Sequence, residues 1–346
     1  MFGSHLSVAG GMVNALTEAK ALGFDTVQVF TKNQQQWNVP PLDPGAVRAW
    51  LDELGELGWQ DRTVSHASYL INMASRDDEL FRKSVDLMTV EIERCEALSI
   101  PLLVHHPGSH VGWSLEEGIA RIVEAYATLL TRTRGCRTVV CLEGTAGSGS
   151  HIGGRFEHLA TLRTRIAERT GDAGRVGFCL DTCHLHAAGY DMGTLASAAE
   201  VLAEFDALCG ASNLKVWHLN DSKGKCCSHL DRHEHIGEGH VGGSPPLNAK
   251  PAKAAVFSET RLADSGFAAI VRDQRFAAVP KILETPKEDA KEARGVPVSK
   301  RLDAMNLRRL RALMEETPTA PTRNIRAAAV KKPVAKAPGK RVGAGL

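Results

Sequence analysis

Residues 176–184 read VGFCLDTCH, an apolar run that stops on a carboxylate, Asp181, with His184 three residues beyond it. A short run that is apolar on both alternating faces suits a strand covered on both sides, as in a parallel sheet flanked by helices. The same grammar recurs on either side of it. TVVCLE (138–143) ends on Glu143, RTVSH (62–66) on His66 and LLVHH (102–106) on His106. LKVWH (214–218) ends on His218 and PKILE (280–284) on Glu284. Two further β-branched or aromatic runs, near Phe2–Leu6 and Thr26–Phe30, bring the number of expected strands to eight.

The gaps between these runs carry helical patterns. GGMVNALTEAKALG (10–23) spaces Val13, Leu16 and Ala19 to Ala21 along one face and stops at Gly23. LFRKSVDLMTVEIERCEALSI (80–100) repeats its apolar residues every three or four positions. Eight strands, each followed by a helix or a long loop, predict an α/β fold, the closed (β/α)8 TIM barrel. An open doubly wound sheet is the rival. It is disfavoured because no G-x-G-x-x-G follows the first strand and the polar residues are spread over many strand ends.

In such a barrel the C-terminal strand ends converge on one mouth, where active sites are built. Six of the expected strands end there in a histidine or a carboxylate. His184 lies just beyond one end, and Asp231 and His233 form DRH (231–233) in the loop after the seventh strand. Singly, a histidine near a strand end is more often a hydrogen-bonded structural residue, and a carboxylate more often a helix cap or an Arg partner. Jointly, five imidazoles and four carboxylates at one mouth would repel and desolvate one another without cations. Nitrogen and oxygen donors without thiolate suit zinc, and less specifically manganese or iron. Nine donors are too many for one ion, whereas two or three ions sharing a bridging carboxylate would use them all. Three divalent ions against four carboxylates leave about two surplus positive charges, suited to an anionic phosphodiester. A two-metal sugar isomerase on the same barrel stays open on composition alone.

Composition limits the other possibilities. Forty-two Lys plus Arg against forty Asp plus Glu give a net charge of +2 over 346 residues, which excludes a backbone-coating polycation. No run of eighteen apolar residues and no signal-like N-terminus are present, so neither a membrane partner nor secretion is expected. The eight cysteines show no C-x-x-C pair and no framework spacing, and several sit inside apolar runs, as Cys141 and Cys179 do; reduced thiols in a cytoplasmic protein are expected. From Thr317 onward the chain carries seven Lys or Arg and no acid among Pro, Ala and Gly, which predicts a disordered basic tail over 317–346. Residues 1–316 alone then carry −5.

SHASYLIN (65–72), HHPGSHVG (105–112), LEGTAGSGSHIGGRFEHL (142–159), GFCLDTCHLHAAGYD (177–191), HLNDSKG (218–224), DRHEHIGEG (231–239) and ILET (282–285) closely resemble the endonuclease IV family. These are metal-dependent apurinic/apyrimidinic (AP) endonucleases of base excision repair. GSHLSVAGG (3–11) and VQVFTKNQQQW (27–37) resemble it as well, and the similarity runs from about Phe2 to Asp289 with one interruption. Several long motifs in order are far more specific than any short one. The resemblance implies three zinc ions per chain in a TIM-barrel domain over residues 1–316. His66, His106 and Glu143 would bind the first. Glu143 would bridge to a second completed by Asp181, His218 and Glu284, and His184, Asp231 and His233 would hold the third.

A hydroxide shared by the first two ions is implied to attack phosphorus on the 5′ side of an abasic nucleotide, positioned by Glu143 and Glu284. The third ion would stabilise the leaving 3′ oxygen, giving a 3′-hydroxyl and a 5′-deoxyribose phosphate. Trimming of blocked 3′ ends is implied by the same chemistry. The implied partner is double-stranded DNA containing abasic sites, met by a monomer. Tyr69 and Leu70 occupy the loop that in this family wedges into the duplex while the damaged nucleotide is extruded.

Three departures stand out. Gln35 in NQQQW replaces the Arg common in this family, so a cationic insertion into the DNA stack is not implied. About twenty residues, roughly 243–264, are inserted after GEGHVG, and the basic tail has no counterpart. Cys226, Cys227, His229 and His235 match no ligand position and are read as unliganded loop residues. A sugar isomerase would leave DRH idle, and a non-catalytic DNA-binding barrel would have no need of an intact ligand set.

Overall fold

Eight strands close into a parallel barrel because nearly all their residues are buried, so both faces need cover inside and out. In the computed structural model, which describes residues 1–243, 257–288 and 296–315, they are β1 (Phe2–His5), β2 (Thr26–Val29), β3 (Val64–His66), β4 (Leu102–His105), β5 (Val139–Glu143), β6 (Val176–Asp181), β7 (Leu214–His218) and β8 (Lys281–Leu283). Neighbours in sequence pair in parallel, and β1 pairs with both β2 and β8 to close the ring. Every expected strand is present within a residue or two. Gly3 lets the ring close tightly: a Cβ there would sit 2.7 Å from Thr26 Cγ2 and 2.9 Å from Ile282 Cδ1.

Two cores follow from this topology. Val64, Leu102, Val104, Cys141, Cys179, Val216 and Ile282, all from strands, pack together as the barrel lumen. A larger cluster joins the outer strand faces to the helices, including Trp50, Tyr126, Phe156, Phe205 and Phe267. Helices α1 (Val13–Leu22), α2 (Pro44–Leu57), α3 (Asp78–Ala97), α4 (Leu115–Arg132) and α5 (Phe156–Thr170) follow β1 to β5 in turn. α1 stops at Gly23, whose φ of 84° suits glycine, as its sequence predicts. α4 starts with a capping box between Ser114 and Glu117.

After β6 come α6 (Thr182–Ala188) and α7 (Leu195–Cys209). The chain beyond β7 forms a small antiparallel pair, Asp221–Ser222 with His233–Glu234, in place of an immediate helix. α8 (Glu259–Ala263) and α9 (Gly266–Arg272) precede β8, and α10 (Leu302–Glu315) packs against α9, its Asp303 meeting Ser4 of β1 and Lys287 beyond β8. Of the inserted 243–264 stretch only Gly243 and Phe257–Asp264 lie among the described residues. The basic tail lies outside them. All eight cysteines are free, and no described helix is long and apolar enough to cross a membrane.

One buried carboxylate organises the backbone after β7. Asp221 Oδ1 accepts from the amides of Ser222 and Val241, both at 2.8 Å. Its Oδ2 accepts from Gly237 at 2.8 Å and Gly242 at 3.1 Å. Asparagine offers only one acceptor oxygen, so Asp221→Asn strands two buried amides against an NH2 group. We expect a loss of about 2–4 kcal/mol of stability, read from the denaturant midpoint. A change below about 0.5 kcal/mol would mean the segment is held by other contacts.

Candidate metal centre

Strand geometry decides which polar side chains enter the mouth. In the HH pair after β4 the two histidines go opposite ways, as alternation along a strand requires. His105 is buried against the helix layer, its Nε2 2.7 Å from the Tyr126 hydroxyl, and burial pushes its imidazole down to about 3. His106 turns inward, with Nε2 3.2 Å from Glu143 Oε2. The neighbouring strand end brings His66 Nε2 to 3.1 Å from the same oxygen. The second oxygen of Glu143 faces His218 Nδ1 at 3.0 Å and His184 Nδ1 at 3.4 Å. Four imidazoles from β3, β4, β7 and α6 therefore surround one carboxylate from β5.

The remaining expected donors adjoin this centre. Glu284 Oε2 lies 3.3 Å from His218 Nδ1, and Asp181 Oδ2 lies 4.0 Å from the same atom. Asp181 also faces His233 Nε2 at 3.6 Å. Asp231 reaches His184 Nε2 at 3.2 Å and His233 Nε2 at 3.4 Å. All nine sequence-predicted donors thus meet at one mouth. Those of His66, His106 and Glu143 lie within 4.8 Å of one another, and so do those of Asp181, His184 and His233.

Electrostatics explains what the cluster requires. Burial alone would raise Glu143, yet His106 and His218 overcome it and hold its carboxyl well below the usual range. Glu284 and Asp231 are lowered in the same way, burial opposing and facing imidazoles prevailing. Burial opposes charge on His218, but Glu284 and Glu143 raise it to about 9; Asp181 and Asp231 likewise raise His233 to about 9. The carboxylates stay ionised because positive charge faces them. His233 Nε2 is buried without a hydrogen-bond partner among the described residues, and two carboxylate oxygens converge on it. Nitrogen and oxygen donors spaced this way fit divalent cations, which would replace those protons.

Three supporting residues escaped the sequence reading. Gln28 Oε1 accepts from His218 Nε2 at 2.9 Å, while its amide nitrogen donates to Glu284 Oε1 at 2.6 Å and lies 2.8 Å from His5 Nδ1. Asn220 donates to Asp181 Oδ2 at 2.6 Å and accepts from the Glu284 amide at 2.7 Å. His5 ends β1, so the signal of a histidine or carboxylate at a strand end reaches a seventh strand, whereas Gln28 is the penultimate residue of β2, which ends on Val29. Such partners fix the orientation of ligand side chains.

The expected DNA-contacting residues lie beside the mouth. Tyr69 is 59% exposed, and its ring centroid lies 5.3 Å from that of His66 and 5.9 Å from that of His106. Leu70 is half-buried against the core. Gln35 is exposed in a turn made by its amide and Asn33 Oδ1, and this turn adjoins the Tyr69 loop through Ser68, which donates to Gln34 O.

The family model described as xylose isomerase-like TIM barrel matches residues 16–248. A probable endonuclease 4 from Chloroflexus aurantiacus is 39% identical over 315 residues, covering 91% of this chain and 98% of the relative. The chain belongs to the endonuclease IV family. A second relative, a probable endonuclease 4 from Geotalea daltonii, is 37% identical over 91% of the chain and 98% of its own length. The crystal structure of endonuclease IV from Thermus thermophilus superposes with a TM-score of 0.72 at 33% identity, over 91% of this chain and 99% of that one. A D-tagatose 3-epimerase-like protein shares the fold at 16% identity and a TM-score of 0.61 over 90% of this chain and 97% of that one. Endonuclease IV membership therefore rests on sequence and structure together, whereas the likeness to epimerases is one of barrel architecture.

Proposed function

We propose that this chain is a zinc-dependent AP endonuclease of base excision repair. It hydrolyses the phosphodiester 5′ to an abasic site in double-stranded DNA, leaving a 3′-hydroxyl and a 5′-deoxyribose phosphate. The observation that carries this reading is the set of nine nitrogen and oxygen donors gathered at the mouth with Glu143 at its centre. His66, His106 and Glu143 would hold one zinc ion. Glu143, Asp181, His218 and Glu284 would hold a second, and His184, Asp231 and His233 a third. When bound, three such ions supply Lewis acidity and charge neutralisation for phosphoryl displacement.

The chain's own residues do the rest. Glu143 and Glu284 orient the attacking water and accept its proton, their carboxylates kept ionised by the imidazoles around them. Gln28 and His5 hold Glu284 in place. Tyr69 and Leu70 fill the gap left in the duplex while the abasic nucleotide turns into the mouth, and Gln35 lies beside them as an uncharged rim residue. An abasic nucleotide resists extrusion least because it has already lost its base stacking. Blocked 3′ ends would be trimmed by the same donors, and the reaction needs one chain only.

Metal stoichiometry tests the reading against a sugar isomerase on a related barrel. Elemental analysis of protein prepared without chelator is expected to give at least three zinc ions per chain, three of them at the mouth. Chelation should abolish incision, and added zinc should restore it. A fully loaded mouth with two ions, and turnover of a sugar in place of a duplex, would favour the isomerase.

A further inference from the structure

A second group of ligand-type side chains gathers where α6 ends, away from the nine mouth donors. His186 is buried in the last turn of α6; its Nδ1 accepts from the Met192 amide at 3.3 Å and lies 3.5 Å from Asp191 Oδ1. Cys226, from the loop after β7, brings its sulfur to these two groups so that all three donor atoms lie within 4.8 Å of one another. Cys227 lies next to this group, beside Cys226. Its thiol is in hydrogen-bonding contact with that of Cys226, and its Sγ sits 3.0 Å from where a Cβ on Gly189 would be.

The backbone holds this arrangement in place at some cost. Cys227 and His229 have φ values of 61° and 52°, the left-handed region that non-glycine residues rarely adopt. Their amides donate to His186 O at 3.2 Å and Ala187 O at 2.9 Å, which pins the loop on the end of α6. Strained residues persist where surrounding contacts over-determine them, and they cluster at functional sites. The sequence reading left Cys226 and Cys227 without a ligand role because neither matches a family ligand position. Their spatial partners, His186 in α6 and Asp191 just beyond it, are distant in sequence and not visible from spacing.

We propose that His186, Asp191, Cys226 and Cys227 form a further metal site that takes one zinc-class divalent ion on one nitrogen, one oxygen and two sulfurs. The three donors that lie within 4.8 Å of one another would hold the ion, and Cys227, in contact with Cys226, would turn in to close a four-donor structural site. Burial, Cys227 and Asp191 together push the Cys226 thiol up to about 11, and a bound cation reverses that disfavour by stabilising the thiolate. Cys227 and Asp191 are exposed, so an ion can enter from solvent. The bound ion fastens the loop to the end of α6. The same chain segment continues to Asp231 and His233, so the site steadies those mouth ligands, a consequence that rests on the proposed function above. The site itself does not.

Cobalt substitution tests it. Metal-free full-length protein, kept reduced, is titrated with Co2+ and followed in the near ultraviolet, where thiolate-to-cobalt charge transfer absorbs. The mouth donors are nitrogen and oxygen, so the band reports on thiolate ligation alone. It is expected to saturate at one cobalt per chain and to vanish in Cys226→Ser/Cys227→Ser, while the visible cobalt absorption of the mouth persists. Asp191→Asn should weaken the band's apparent affinity with the fold intact by circular dichroism. Zinc content of the double serine variant should fall by one ion per chain. If the mouth bound no metal, this band would still appear. No band in the wild type overturns the proposal, as does a band that survives the double substitution, which would assign it to Cys179 or Cys183. A protein isolated with its mass two hydrogens short at Cys226–Cys227 would also overturn it, showing a vicinal disulfide instead.

Discussion

Glu143→Gln is expected to lower the incision rate by about 10³-fold or more, equivalent to about 4 kcal/mol of lost transition-state stabilisation. The substitution preserves shape and removes charge. Each oxygen of Glu143 faces two imidazole nitrogens, at 3.1 and 3.2 Å on one side and 3.0 and 3.4 Å on the other. An amide presents a donor to one of those pairs, so it can neither bridge two cations nor accept a proton from water. Binding to an abasic duplex should remain, because Tyr69 and Leu70 lie outside the carboxylate's contacts. Rates are to be compared at matched metal content, with folding checked by circular dichroism. Near-wild-type cleavage by a metal-loaded variant would remove the bridging role from Glu143.

Asp231→Ala combined with His233→Ala should cost about one zinc ion per chain at the mouth and reduce incision by about 10²–10³-fold. Asp231 is the side chain that links His184 to His233, at 3.2 and 3.4 Å. Without both, His184 keeps Asp181 and Glu143 as its neighbouring carboxylates, its Nδ1 2.9 Å from the Gly144 carbonyl, and in the proposed arrangement those carboxylates would serve the other two ions. His66, His106, His218 and Glu284 are untouched, so the expected product is a protein with a two-ion mouth, not an empty one. Elemental analysis against wild type reads the first effect, and single-turnover kinetics the second. Full activity with that ion missing would show that DRH contributes nothing to the chemistry.

Much of this centre is legible in the chain because a parallel barrel converts one-dimensional position into three-dimensional convergence. A residue at the C-terminal end of any strand must reach the same mouth, so TVVCLE and VGFCLD place Glu143 and Asp181 there on strand position alone. Most of the strands were readable for a related reason, since two-sided burial leaves largely apolar runs such as TVVCLE and VGFCLD. What stayed hidden depends on contacts between distant segments. Gln28 looks like any polar strand residue until His218 and Glu284 are seen on either side of its amide. Asp221 reads as one more acid in HLND, and only the fold reveals four backbone amides around it. His105 and His106 are adjacent and chemically identical, and strand alternation alone separates the one that meets Tyr126 from the one that faces Glu143. The Cys226 loop was illegible because its partners lie in α6 and just beyond it.

The most direct measurement is a cut map. A duplex carrying one abasic analogue and labelled at either end is incubated with zinc-loaded protein, and the fragments are resolved to the nucleotide with their termini identified. Cleavage at the single phosphodiester 5′ to the abasic site, with a 3′-hydroxyl on one fragment and a 5′-deoxyribose phosphate on the other, is the expected result. Cleavage on the 3′ side, cutting at undamaged positions to the same extent, or an intact duplex in the presence of a fully loaded mouth would contradict it.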